Sequence, residues 1–159
     1  VNNETGIVNP IEDIAKVLKN YPKIVFHVDA VQAFGKIKFD FSLVDMITIT
    51  GHKIHGPKGA GCLIKNTKIS LASLNNGGGQ EKGERSGTVA NELVICLAKA
   101  IKIANNDREK NFAKVSELNL KLMTYLKENA ANYELNSDER NPFVVNFSLK
   151  NRKEIAYAL

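Results

Sequence analysis

The chain has 159 residues, 43% of them hydrophobic and 25% charged, with a formal net charge of +5. That is a globular composition, long enough to bury a core as one domain. The lysines are scattered, which favours a solvated basic surface over a nucleic-acid stripe, and no apolar run approaches the roughly 20 residues of a membrane span.

No signal peptide is visible, and Cys62 and Cys96 form neither a C-x-x-C pair nor a metal spacing. A cytoplasmic protein in a reducing compartment is therefore expected, with no metal. The chain opens on Val1-Asn2-Asn3-Glu4-Thr5-Gly6, which reads as the last residue of a strand and its loop. It closes at Leu159, inside a helix expected to start near Lys153. Neither end resembles the exposed polar linker of a domain edge, so a segment of a longer enzyme is expected.

Asn2 and Asn3 suit an Asx turn. Pro10 opens a predicted helix running to about Asn20, with Ile11, Ile14, Ala15 and Leu18 on its apolar face. Tyr21-Pro22 breaks it. Ile24 to Val28 is predicted as a buried strand with Asp29 at its carboxyl end, the place where α/β proteins bind ligands. Gln32 follows one turn on. Capping for Asp29 and solvation for Gln32 are the plain alternatives. His27 shares the Asp29 face and reads as a core histidine without chemistry. From Lys36 to Ser42 the sequence alternates, as a connecting edge segment does.

Ile47-Thr48-Ile49-Thr50 is β-branched and stops at Gly51, so it reads as a short buried strand. Thr50, His52 and Lys53 then crowd its end, followed by Gly56-Pro57-Lys58-Gly59-Ala60-Gly61, a backbone able to fold tightly around a ligand. Lys53 lies 24 positions after Asp29, and each sits at a predicted strand end. A surface lysine in a glycine turn is the plain alternative. His55 and Lys58 read as surface residues.

Gly59 to Ile64 reads as a return strand, with Cys62 as a small core residue. The stretch from Asn75 to Thr88 is too glycine-rich for a helix or strand; it is either a flexible loop or one that approaches a phosphate. A helix is predicted from Asn91 to about Asn129. Leu93, Cys96, Leu97, Ala100 and Ile101 make one apolar stripe, and Val115, Leu118, Leu122, Tyr125 and Leu126 a second. Asn105-Asn106-Asp107 is expected to interrupt or kink it. Two short strands, Tyr133 to Leu135 and Phe143 to Leu149, flank a turn over 136–142.

Thr50-Gly51-His52-Lys53, with Gly56-Pro57 and Gly59-Ala60-Gly61, resembles the cofactor-lysine motif of the class V aminotransferase-like family. That family depends on pyridoxal 5'-phosphate (PLP) and has fold type I. PLP needs an amine to bond it, an acid to keep its ring nitrogen protonated, and donors for its phosphate. The resemblance implies Lys53 as the Schiff-base lysine and proton carrier, and Asp29 beside the ring nitrogen. It further implies Gln32 on the phenolic oxygen, with Thr50 and His52 on the phosphate.

Asn2-Asn3-Glu4-Thr5-Gly6 resembles an Asn-Asn-Glu-x-Gly element of the NifS/IscS-type cysteine desulfurases, which implies Asn3 at the cofactor and on the substrate's carboxylate. Gly77-Gly78-Gly79-Gln80-Glu81 with Arg85-Ser86-Gly87-Thr88 resembles the same group. It implies that Thr88 reaches the phosphate bound to the other subunit of a homodimer. Arg85 to Thr88 together with Asn91 separates the NifS/IscS-like from the SufS-like group.

The fold expected is α/β. Residues 1–106 would be part of the fold type I large domain, a mostly parallel sheet flanked by helices. Residues 107–159 would hold a linking helix and the start of a small C-terminal α/β domain. The implied reaction turns L-cysteine into L-alanine and passes the sulfur as an enzyme persulfide to acceptor or scaffold proteins, for iron–sulfur or thio-cofactor assembly.

Members of the family also carry a further phosphate loop, a histidine stacked on the ring, and a mobile loop with the sulfur-receiving cysteine. None of these is found in the 159 residues, and neither Cys62 nor Cys96 matches that cysteine. At best weak PLP binding is expected of the chain alone, and no complete reaction. Another class V enzyme, such as a selenocysteine lyase or an aminotransferase, remains an alternative. So does a non-catalytic fragment that only dimerises or binds a scaffold.

Overall fold

The computed structural model describes residues 1–130, 132–137 and 140–150. Its centre is a three-stranded sheet of β1 (His27–Asp29), β2 (Met46–Thr50) and β3 (Gly61–Lys65), in that order. In β2 the alternation of Ile and Thr sends side chains to opposite faces. Ile47 and Ile49 are 2% and 1% exposed, while Thr48 and Thr50 are half-buried. Ala30 completes the core, with Val28, Phe34, Phe39, Val44, Cys62 and Ile101 packed around it. Each buried Ile contributes roughly 1.5–3 kcal/mol.

β1 and β2 run parallel, with Val28 opposite Ile47 and Asp29 opposite Thr48. Both strands therefore end on the same side of the sheet. β3 returns antiparallel, with Thr50 opposite Gly61. The predicted central and return strands are both present.

The strand expected over 24–28 shortens to His27–Asp29 and is not buried: Ile24 and Val25 are 50% and 49% exposed. The reason is local. Ile24 N–H donates to Tyr21 O (3.0 Å) in a turn, and the Asp45 carboxylate takes the Phe26 N–H (2.8 Å) ahead of the ladder. The segment from Lys36 to Ser42 forms no strand either. Asp40 instead caps a short 3-10 turn, Phe41–Leu43, by accepting from Ser42 N–H. α1 (Ile11–Leu18) matches its predicted helix, with Ala15 buried.

α2 (Asn91–Asn129) runs 39 residues without a break, so Asn105-Asn106-Asp107 does not interrupt it. It contains no Gly or Pro, and an exposed Asn costs a helix under about 0.7 kcal/mol. The division expected at residue 107 thus falls inside one helix. Its first half buries Leu97 and Ala100 against the turn after β2. Cys96 is exposed rather than in the core.

The second predicted stripe is also displaced, since Leu118, Leu122 and Tyr125 are 53%, 42% and 63% exposed. The packed face is instead Phe112, Val115, Asn119, Met123 and Leu126. Phe112 meets the ring of Phe143, and Asn119 Nδ2 donates to Pro142 O (3.1 Å).

β4 (Tyr133–Leu135) and β5 (Phe147–Leu149) pair antiparallel, so the strand expected over 143–149 forms only at its end. Residues 140–146 fold back onto the N-terminal loop. Asn141, 3% exposed, donates from Nδ2 to Gly6 O (3.0 Å). Arg140 and Asn146 donate to Val8 O and Glu4 O (2.9 and 3.2 Å). The helix expected near Lys153 and residues 138–139 of the predicted turn lie outside the described residues.

Candidate active site

Strand direction decides where the site forms. Because β1 and β2 are parallel neighbours, Asp29 and the Gly51–Lys53 turn leave the sheet at the same edge. That turn is fixed by its backbone: Gly51 N–H donates to Ala60 O (2.8 Å), and Gly56 N–H returns to Gly51 O (2.8 Å). α2 rests directly on it. A Cβ on Gly56 would lie 2.9 Å from Ala100 Cβ and 3.0 Å from Gly51 O, so no larger residue fits there.

A cavity of about 710 Å³ opens at this edge, and Asn3, Asp29, Gln32 and Lys53 all border it, with Asn2 and Asn9 beside them. Its size falls within the roughly 300–1,000 Å³ of small-ligand sites. The two asparagines divide their work. Asn2 Oδ1 accepts from Glu4 N–H and Thr5 N–H (2.9 Å each) and holds the turn, while Asn3 is exposed at the cavity.

Asp29 Oδ1 accepts from Val31 N–H (2.9 Å), so its capping role is real and leaves the second oxygen available. Lys53 is exposed, makes no hydrogen bond or ion pair among the described residues, and has the ammonium of Lys36 as a charged neighbour. Gln32 is half-buried, and its Oε1 accepts from Lys36 Nζ (3.1 Å).

Thr50 and His52 come together, with Thr50 Oγ1 3.1 Å from His52 Nδ1 and donating to Ala60 O (3.2 Å). They do not border the 710 Å³ cavity, and neither does Thr88. Thr88 is exposed at the end of a loop that is closed on itself: Ser86 Oγ donates to Gly78 O (2.7 Å), and Gly87 N–H to Gln80 Oε1 (3.2 Å). The half-buried Lys65–Glu84 ion pair (2.8 Å) moors that loop to β3.

His27 is not a core histidine. It is exposed, with Nε2 2.8 Å from Thr48 Oγ1 across the strand pair.

Lys36 was not singled out in the sequence. Burial, and then the charge of Lys53, push its ammonium below the usual lysine range. The available signal was its position four residues after Gln32, a spacing that meets only if the segment winds like a helix. It does: Phe34 N–H donates to Ala30 O (2.8 Å) and Ile37 N–H to Ala33 O (3.0 Å).

A parallel strand pair that brings a carboxylate and an amine to one polar cavity, closed by an antiparallel third strand, is the α/β arrangement of the fold type I large domain. The following strand pair is the start of a small α/β domain. Residues 1–158 match the family model "Aminotransferase class-V", and the chain belongs to that family.

It is 43% identical over 136 residues to a mitosomal cysteine desulfurase of Trachipleistophora hominis, covering 83% of this chain and 31% of the relative. A solved NifS-like protein from Rickettsia africae superposes with a TM-score of 0.90 at 32% identity, covering 98% of this chain and 44% of that one. SspA, solved in complex with cysteine, gives a TM-score of 0.77 at 33% identity over 98% of this chain and 44% of that one. The chain spans about a third of the length of the curated relatives it matches, 31% and 35% for two of them.

Membership of the family implies the use of PLP. The residues present fit that group. The donor set is a carboxylate with one oxygen available, an amide and an amine without a partner among the described residues, all bordering one polar cavity.

Proposed function

We propose that this chain is the cofactor-holding part of a cysteine desulfurase, which takes sulfur from L-cysteine, leaves L-alanine and passes the sulfur on as an enzyme persulfide. The observation that carries the proposal is the convergence of Asp29, Gln32 and Lys53 on one cavity. The 43% identity to a cysteine desulfurase and the likeness to a protein solved with cysteine support the substrate.

When bound, PLP supplies an electron sink for charge developing at the substrate's Cα. Every other role belongs to side chains. Lys53 would attach the cofactor and, once released, carry the proton at the substrate's Cα. Asp29 would hold a proton on the ring nitrogen by charge pairing. Gln32 would donate to the ring oxygen, and His52 to the phosphate together with Thr50, whose one hydroxyl proton would first leave Ala60 O.

Asn3 would orient the substrate's carboxylate. Thr88, exposed on its moored loop, would reach the phosphate of a second subunit in a symmetric dimer. Cys62 and Cys96 do not border the cavity, and neither is assigned the sulfur.

The test uses the full-length gene product. Addition of PLP should give a visible absorbance band that Lys53→Ala abolishes, and L-cysteine should yield sulfide and alanine. Activity on selenocysteine but not cysteine, or amino transfer to a keto acid, would replace this reading with another class V enzyme. No visible band would leave a non-catalytic module.

A further inference from the structure

Lys36 stands beside this site, and the proposed reaction does not use it. Its side chain is half-buried and spends its hydrogen-bonding on Gln32, 3.1 Å away. The chemistry of the pair fixes an orientation that the shape of an amide does not. A lysine ammonium can only donate, so the atom of Gln32 facing it must be the carbonyl oxygen. The amide's two N–H donors are then turned the other way. Gln32 borders the 710 Å³ cavity and Lys36 does not, which makes the cavity the side open to those donors. No acceptor among the described residues meets those N–H groups there.

We propose that Lys36 is a positioning residue: by holding the Gln32 carbonyl oxygen it sets the amide as a pure donor toward the cavity shared with Asp29 and Lys53, which selects ligands that present an acceptor at that edge. In PLP that acceptor is the ring's phenolic oxygen, and this step rests on the cofactor reading above.

Freed from Lys36, the amide could rotate and offer its oxygen, placing two acceptors face to face. The winding of residues 30–37 supplies the geometry, since it stacks positions 32 and 36 on one side. The lowered affinity of Lys36 for its proton agrees with a cation partly withdrawn from water beside Lys53.

The chain has only two glutamines, Gln32 and Gln80, so selective ¹⁵N-glutamine labelling of the 159-residue chain gives two side-chain amide pairs. Lys36→Met should move the Gln32 pair and leave Gln80, on its exposed loop, as the internal control. Lys36→Arg, which keeps donors, should restore the native positions.

In the full-length gene product, Lys36→Met should weaken PLP binding by roughly fivefold or more, the effect of one misplaced hydrogen bond, and Lys36→Arg should recover most of it. Unmoved Gln32 resonances in Lys36→Met would overturn the proposal. So would moved resonances with unchanged PLP binding. Failure of the native protein to give the visible band would sink the cofactor reading instead, and the amide spectrum would still judge the Lys36–Gln32 pair.

Discussion

Asp40 shows what one exposed carboxylate does in this fold. It accepts from the Ser42 hydroxyl (2.7 Å) and the Ser42 N–H (2.9 Å), and these bonds, the hydroxyl first, hold its carboxyl below the usual aspartate range. A folded value below the unfolded one means the stabilisation is fully present above about pH 3.9 and is lost as pH falls through the folded value. Asp40→Ala should therefore lower Tm at pH 7, and the gap to the native protein should shrink in acid. A gap of constant size from pH 7 to pH 2 would show that the carboxylate is not the cap.

The two cysteines offer a second check. Cys62 is half-buried against Ile49, and burial pushes its thiol up, whereas Cys96 is exposed on α2. Iodoacetamide at pH 8 should label Cys96 well before Cys62, read by peptide mass spectrometry, because the thiolate reacts and needs access. Equal rates would contradict the burial.

Asp29 and Lys53, which border one cavity with Gln32, stood out in the sequence because a strand end and a lysine in a glycine turn are local signals, whereas Gln32 rested on the family resemblance. Lys36 was not. Its alternating neighbourhood suggests extended chain, and the i,i+4 contact exists only once Ala30 to Ile37 has wound into turns.

Elements position the site from behind. Residues 140–146 hold three carbonyls of the N-terminal loop, those of Glu4, Gly6 and Val8, and so anchor the turn that presents Asn3. Gly6 takes φ +73°, and a Cβ there would lie 2.8 Å from Val144 Cβ, so the loop and its anchor fit only with glycine at that point. Asn141→Ala leaves the buried Gly6 carbonyl without its donor and should cost about 1–3 kcal/mol in urea unfolding. An unchanged midpoint would show the anchor to be ornamental.

On the other side, Gly56→Ala would drive a methyl into Ala100 and the Gly51 carbonyl. Overpacking of that kind costs about 1–3 kcal/mol and should shift the Lys53 turn. The expected result is lost stability together with a weaker PLP band; lost stability alone would separate α2 from the site.

Helix existence was plain in the sequence of 91–129, but the packed face of its second half was not. Leu118, Leu122 and Tyr125 are apolar at helical spacing, yet the neighbour supplied by Pro142 and Phe143 meets Phe112 and Asn119 instead. Periodicity finds a stripe; only the partner says which stripe is covered.

At the scale of the whole molecule, the described sheet leaves β1 and β3 as its two edges. β3 is apolar on both faces: Leu63 and Ile64 point to opposite sides and are 44% and 47% exposed. From sequence such a strand reads as buried on both sides, because the pattern records what a face is suited to meet and not whether anything meets it. Ile24 and Val25, before β1, repeat the situation.

An apolar edge strand with open N–H and C=O groups is a template for pairing with another chain. The 159-residue chain should thus associate beyond any defined dimer, with a sedimentation-average mass that rises with concentration. Ile64→Lys places a charge on that edge. It should suppress the rise while changing stability by about 0.5 kcal/mol or less, the range for exposed positions. Among the described residues the ion pair that moors the Thr88 loop to β3 uses Lys65 and not Ile64, so a defined dimer that uses Thr88 should survive Ile64→Lys. Loss of the dimer along with the larger species would mean that β3, and not the loop, is the surface on which two copies meet.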